Sequence, residues 1–141
     1  MLNRGMICFC LLILVALAAC GGSTMPNTGN TGSQQKPDKV TIQVFDIDQK
    51  AASKTVTLTQ ADQVQQFYQT VNATPAYPKD PICTMELGPH YIMTFTQGGK
   101  TISPATAERY GCKKITLDKN NLHQGNQQFW QALDQVIAKA S

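Results

Sequence analysis

Few side chains in this sequence carry reactive chemistry, and their spacing limits what they could do. His90 and His123 are the only histidines. As general bases they would need a positioned Ser or Cys nucleophile. No Gly-x-Ser-x-Gly turn is present, and the two histidines stand apart, one at a predicted strand start and one in a polar turn. Asp46-x-Asp48 and Asp118-x-Asn120 begin like calcium loops but lack the glycine and the glutamate such loops need further on. Glu86, Glu108 and Asp134 are not spaced as a carboxylate pair, although folding can bring distant acids together. Cys83 and Cys112 each lack a second Cys or His at zinc-ligand spacing. These residues assign no catalytic group, no metal and no cofactor, and the chain reads as a non-enzyme.

The N-terminus carries a clearer signal. Met1–Met6 contains Arg4, and Ile7–Ala19 follows as 13 residues without a charge. A membrane-spanning helix needs about 20 apolar residues, so this run has the length of the apolar core of a secretory signal. Leu17-Ala18-Ala19-Cys20 closes it, and a Gly-rich polar stretch follows at once. These four residues resemble the lipobox of bacterial lipoproteins. The resemblance implies cleavage before Cys20, a diacylglyceryl thioether on its sulfur and a further acyl chain, such as palmitate, on the new N-terminus. Each buried methylene contributes ~0.8 kcal/mol, and two or more chains anchor stably where one is marginal. The expected location is the extracytoplasmic face of the cell membrane, lipid-anchored through Cys20. The alternative is an ordinary cleaved signal in which Cys20 is incidental.

That compartment sorts the cysteines. Cys8 and Cys10 leave with residues 1–19, and Cys20 takes the lipid. Cys83 and Cys112 remain where disulfides persist. A bridge between them closes a loop of about 30 residues, worth roughly 3–4 kcal/mol through the entropy it removes from the unfolded chain. The alternative is two free thiols or a metal pair, and neither cysteine has a second Cys or His at ligand spacing. Removal of residues 1–19 leaves 11 bases against 9 acids, a net charge of +2. No basic cluster exceeds the pair Lys113-Lys114, so nucleic acid is not an expected partner.

Three segments follow: a signal at 1–19, the lipidated cysteine with a polar linker at 20–37, and one domain at 38–141. The stretch 21–37 is mostly Gly, Ser, Thr, Asn and Gln, with two prolines, Met25 and Lys36 and no aromatic or branched aliphatic residue, and cannot bury enough surface to fold. Val40–Val44 alternates apolar and polar residues and runs on to Ile47 as a half-buried strand. Lys54–Thr59 alternates again, and the two predict a hairpin. Thr59 stands as a helix N-cap with Asp62 in a capping-box position. Val64, Phe67, Tyr68 and Val71 then mark one face of a helix over 60–72. Pro75, Pro78 and Pro81 forbid regular structure over 74–81. His90–Gln97 is a third strand, Gly98-Gly99 a tight turn, and Lys100–Ser103 a fourth strand ending at Pro104. Cys112–Leu117 is a fifth, and 118–125 a turn. Phe129, Trp130, Leu133, Val136 and Ile137 mark a closing helix over 126–139, with Phe129 and Trp130 plugging the core. The order ββαβββα predicts an α+β fold: an antiparallel sheet of about five strands with both helices on one face.

One segment resembles a known family. Cys83-Thr84-Met85-Glu86-Leu87-Gly88-Pro89 precedes a strand, a Gly turn, another strand and Cys112. It is similar to the second disulfide and reactive loop of the subtilisin-inhibitor-like family of secreted bacterial protease inhibitors. Two strands and a helix also precede the loop there, so the likeness spans residues 40–117. The resemblance implies that Met85 enters a protease specificity pocket, that Met85–Glu86 is the reactive bond, and that Cys83, Thr84, Met85 and Glu86 form the protease-binding loop. Several features depart from the family. Its first disulfide has no counterpart, Thr84 replaces the usual Pro, Glu86 adds a charge past the reactive bond, and the chain ends in a helix rather than a strand. The spacing of Cys83, Tyr91, Phe95, Gly98-Gly99-Lys100, Cys112 and Phe129-Trp130 also resembles small secreted domains found in bacterial lipoproteins, a likeness that carries no activity. The expected function is therefore a lipid-anchored binding or interaction domain with a partner in the envelope or outside the cell. Protease inhibition is the specific alternative, and a small envelope enzyme the third. An inhibitor must expose Met85, whereas an ordinary core methionine would be buried. A different binding module would instead show an exposed patch around Tyr77, Tyr110 or Trp130.

Overall fold

The computed structural model describes residues 35–118 and 121–139. Cys20, the signal and most of the linker lie outside the described residues, as does Asn120. Eight elements follow one another: β1 (Lys39–Phe45), β2 (Lys54–Leu58), α1 (Ala61–Asn72), β3 (His90–Gln97), β4 (Lys100–Glu108), β5 (Lys114–Leu117), β6 (Asn121–Gln124) and α2 (Gln127–Lys139). The six strands form one sheet in the order β2-β1-β3-β4-β5-β6, antiparallel throughout. The fold is α+β, and α1 makes the crossover from edge strand β2 to β3, on the other side of β1.

Period-two patterning puts the core on one face of the sheet. One cross-strand row reads Val56, Ile42, Met93, Ala105 and Leu117, and the next reads Val44, Tyr91, Ala107, Ile115 and His123. Val64, Phe67 and Val71 of α1 and Phe129, Leu133 and Val136 of α2 are buried in the same cluster. Phe67 links the layers, with its ring 5.9 Å from Phe95 on β3 and 6.5 Å from Phe129 on α2. Trp130 packs edge-on against Phe129 and lies half-buried beneath the Arg109 guanidinium, 5.2 Å away. Arg109 also pairs with Asp134 and sits over Tyr91. Burial pushes the Tyr91 hydroxyl above its ordinary pKa, and the nearby Arg109 charge opposes this only in part.

Several boundaries differ from the sequence reading, each for a physical reason. β4 does not stop at Pro104 but runs to Glu108. The Pro104 carbonyl accepts from Asp118 N (3.3 Å), so its amide nitrogen faces the β5 side, where pairing begins only at Ala105. The missing N–H costs little there. The stretch read as a turn over 118–125 contains β6. Its sequence Asn-Leu-His-Gln shows no apolar alternation, and main-chain pairing with β5 holds it instead. β1 ends at Phe45 rather than Ile47, and β5 begins at Lys114 rather than Cys112. The N-cap of α1 is Gln60, not Thr59, and makes no side-chain cap bond to the backbone. Asn126 does cap α2, accepting from Phe129 N at 2.9 Å. The end of the linker is docked: Pro37 is fully buried, and Tyr68 Oη donates to Gln35 Oε1 at 2.9 Å. The Gly98-Gly99 turn forms as read, with positive φ at both residues, the geometry a two-residue hairpin of this kind requires. No described helix is long and apolar enough to cross a membrane.

Candidate functional site

The connection between α1 and β3, residues 73–89, holds the whole protease-binding loop that the family resemblance implies, Cys83 to Glu86. Its first half is fastened along the outer edge of β6. Gln124 N donates to Pro75 O (2.8 Å), Tyr77 N donates to Leu122 O (3.0 Å), and Ala76 forms an isolated bridge with His123. The stretch covers a polar edge strand that would otherwise present unpaired amides. His123 locks it: Nδ1 lies 2.6 Å from Thr74 O and 3.1 Å from Thr74 Oγ1. A carbonyl can only accept, so Nδ1 carries the proton. His123 is thus a structural residue on the core side of the sheet.

The second half is presented rather than covered. Cys83 and Cys112 are joined by a disulfide with Cα atoms 4.3 Å apart, closing 29 residues of sequence. The bridge ties this half to the β4–β5 turn. Thr84 N donates to Gly111 O at 3.3 Å. Gly111 has φ +64°, and a Cβ there would sit 3.5 Å from Glu86 O and 3.6 Å from Thr84 O, so its bare backbone lies against the loop. Gly88 lies against the Tyr110 ring, where a Cβ would meet Cδ2 at 1.9 Å. The β4–β5 turn therefore braces the loop through one covalent bond, one hydrogen bond and two close approaches. Between and just before these supports the side chains are exposed. Ile82 is 97%, Met85 98% and Leu87 76% exposed. Across Met85, Thr84 Oγ1 donates to Glu86 Oε2 at 3.3 Å.

Behind the loop, an open hollow is lined by Met85, Glu86, His90, Glu108 and Tyr110, among others. Folding thus brings two acids and a histidine to one depression, which their sequence spacing did not suggest. They are engaged separately. The His90 ring stacks on Phe45 with centroids 4.7 Å apart, Glu108 pairs with Lys114 at 3.4 Å, and Glu86 accepts from Thr84. Asp134, on α2, pairs with Arg109 and does not line the hollow. Asp48 and Asp118 occupy turn positions with positive φ. Among the described residues, no three His, Cys, Asp or Glu side chains are grouped as metal ligands.

Sequence reasoning missed the brace formed by Tyr110 and Gly111, and the exposure of Ile82 and Leu87. The only available signal was the Tyr110-Gly111-Cys112 run itself, since a glycine before a bridged cysteine allows the close approach. No protein-family model, curated protein or solved structure matches this chain.

Proposed function

We propose that this protein is a lipid-anchored extracytoplasmic binding module, held at the membrane through Cys20, whose contact element is the loop Ile82–Leu87. Its partner class is a serine protease of the subtilisin type, which takes the loop as a substrate and is retained by it, with Met85 in the specificity pocket and Met85–Glu86 as the bond presented. The observation that carries this reading is the nearly complete exposure of Met85 on a backbone braced on either side of it. A large apolar side chain left in water has no structural use there. Three such side chains on one short loop form a contact surface rather than scattered exposure. The bracing has a second consequence. A loop braced in the free protein loses less conformational entropy on docking than a mobile one, which is how rigid segments gain affinity.

The test is a titration of the oxidised protein against a subtilisin-type protease, with mass spectrometry of the products. Stoichiometric inhibition with slow cleavage at Met85–Glu86 is expected. Degradation without inhibition, or inertness, would remove this reading. The anchor is tested by Cys20→Ala, which should release the protein from membranes or leave its precursor uncleaved. Mature protein that stays membrane-bound in this variant would refute the lipid assignment.

A further inference from the structure

The end of the linker is built into the fold at the opposite end of the sheet from the exposed loop. Pro37 is fully buried, Tyr68 Oη on α1 donates to Gln35 Oε1 at 2.9 Å, and Asp38 N donates to Thr96 O at 2.9 Å. The Asp38 carboxylate turns onto the β3–β4 turn, where Oδ2 accepts from Gly98 N at 2.7 Å. The chain is thus fastened from Gln35 onward, and it enters the domain where β1 starts and β3 ends. Gly88 and Pro89 run directly into His90, at the other end of β3. The register says the same, with Lys39 opposite Thr96 and Phe45 opposite His90. β3 has 8 residues, so the two ends stand about 25 Å apart at the rise of an extended strand.

Folding also gathers charge at the linker end that the sequence does not group. Lys36 and Lys39 flank Pro37 and Asp38, Lys100 opens β4 across the Gly98-Gly99 turn, and Lys139 ends α2 beside Leu58 and Thr59. Lys36, Lys100 and Lys139 are exposed, and Lys39 is partly so. Among the described residues, the acids at this end are Asp38, engaged with Gly98, and Asp62 in the first turn of α1. Asp118 is set back along the sheet, bonded to the Pro104 carbonyl.

We propose that this end is a membrane-facing surface, seated on anionic lipid headgroups by Lys36, Lys39, Lys100 and Lys139, an inference that rests on the lipid-anchor reading above. Two observations select a lipid surface as the occupant. The first is where the rest of the chain joins. Residues 21–34 alone separate Cys20 from Gln35. A polar, Gly-rich coil of that length has a root-mean-square span of about 20 Å, less than the separation of the two ends of the sheet. The linker end is therefore the part of the domain that the anchor holds nearest the headgroups. The second is charge. Attraction between a lysine and an anionic surface is screened beyond about 8–10 Å, so only lysines on the seated end take part. Four lysines need not hold the protein at the membrane by themselves. The anchor makes their contact an intramolecular event at high effective concentration, so a weak attraction is enough to orient the domain. In that orientation the far end of the sheet faces away from the bilayer, toward partners that arrive from solution.

The experiment uses the mature lipidated protein in vesicles of phosphatidylcholine, with and without phosphatidylglycerol. An amine-acetylating reagent is applied, and the modification rate of each lysine is read by mass spectrometry. Phosphatidylglycerol should slow Lys36, Lys39, Lys100 and Lys139 about threefold, and high salt should abolish the difference. Lys50 and Lys113, in turns at the far end, should react at the same rate in both vesicles. A Lys36→Gln/Lys39→Gln/Lys100→Gln variant, changed only at the surface, should lose the protection of Lys139 as well. If the parent stays with the vesicles but the four lysines gain no protection, or Lys50 and Lys113 gain as much, the seating is wrong and the anchor stands. If the parent is washed off the vesicles as readily as Cys20→Ala, the anchor reading falls and takes this inference with it.

Discussion

The two halves of the connection from α1 to β3 make an instructive pair. Both are short, proline-bearing and without apolar periodicity. The first, around Thr74–Tyr77, gives its backbone to β6 and is held by His123. The second, around Ile82–Leu87, gives its backbone to almost nothing and is braced by a disulfide, one hydrogen bond and two glycine contacts. The first half serves the fold by covering a strand edge. The second leaves its apolar side chains exposed, the feature on which the proposed binding role rests. Where a loop spends its backbone hydrogen bonds therefore separates an edge cover from a presented segment more sharply than composition does.

The comparison can be broken from either side. The largest effect should come from removing the disulfide. A Cys83→Ser/Cys112→Ser variant is expected to lose roughly 3 kcal/mol, the worth of closing a loop of this length, measured by urea denaturation. Limited proteolysis should then cut within 82–89 and spare 74–77. Cutting in both halves alike would show that they are not held independently. Next in size is His123→Ala, which strips Thr74 O of its partner and should cost about 1–2 kcal/mol. Its signature is faster amide exchange at Tyr77 and Gln124, with exchange at Thr84 unchanged. Gly88→Ala should cost about 1 kcal/mol, because the new methyl overlaps the Tyr110 ring, which can swing partly aside. A Tyr110→Ala change in the same chain should recover the loss, and failure to recover it would refute the brace. The smallest effect on stability belongs to Met85→Asp, expected within about 0.5 kcal/mol of the parent because the side chain touches little. That same change should weaken protease binding by more than tenfold. Near-parental binding would mean that Met85 is exposed without being used.

Much of this architecture was legible beforehand, and the exceptions share a cause. β3 carries Tyr91, Met93 and Phe95 on one face and was readable to the residue. Val64, Phe67 and Val71 announced α1, and the bridge between Cys83 and Cys112 forms as expected. β6 was invisible because Leu122 faces out and His123 faces in, the reverse of what hydropathy suggests. Pro104 looked like a stop because the edge its nitrogen would face was not known. Pro37 looked like linker because its burial depends on the fold that follows it.

The sequence by itself placed β1 to β5 and both helices and the buried face of each, because side-chain periodicity and turn chemistry act within a few residues. Only the tertiary structure decided that a polar tetrapeptide completes the sheet, that Tyr110 and Gly111 stand behind the loop, and that Met85 faces water instead of the core. Those outcomes depend on which distant backbone groups find each other, and no local pattern of side chains encodes that.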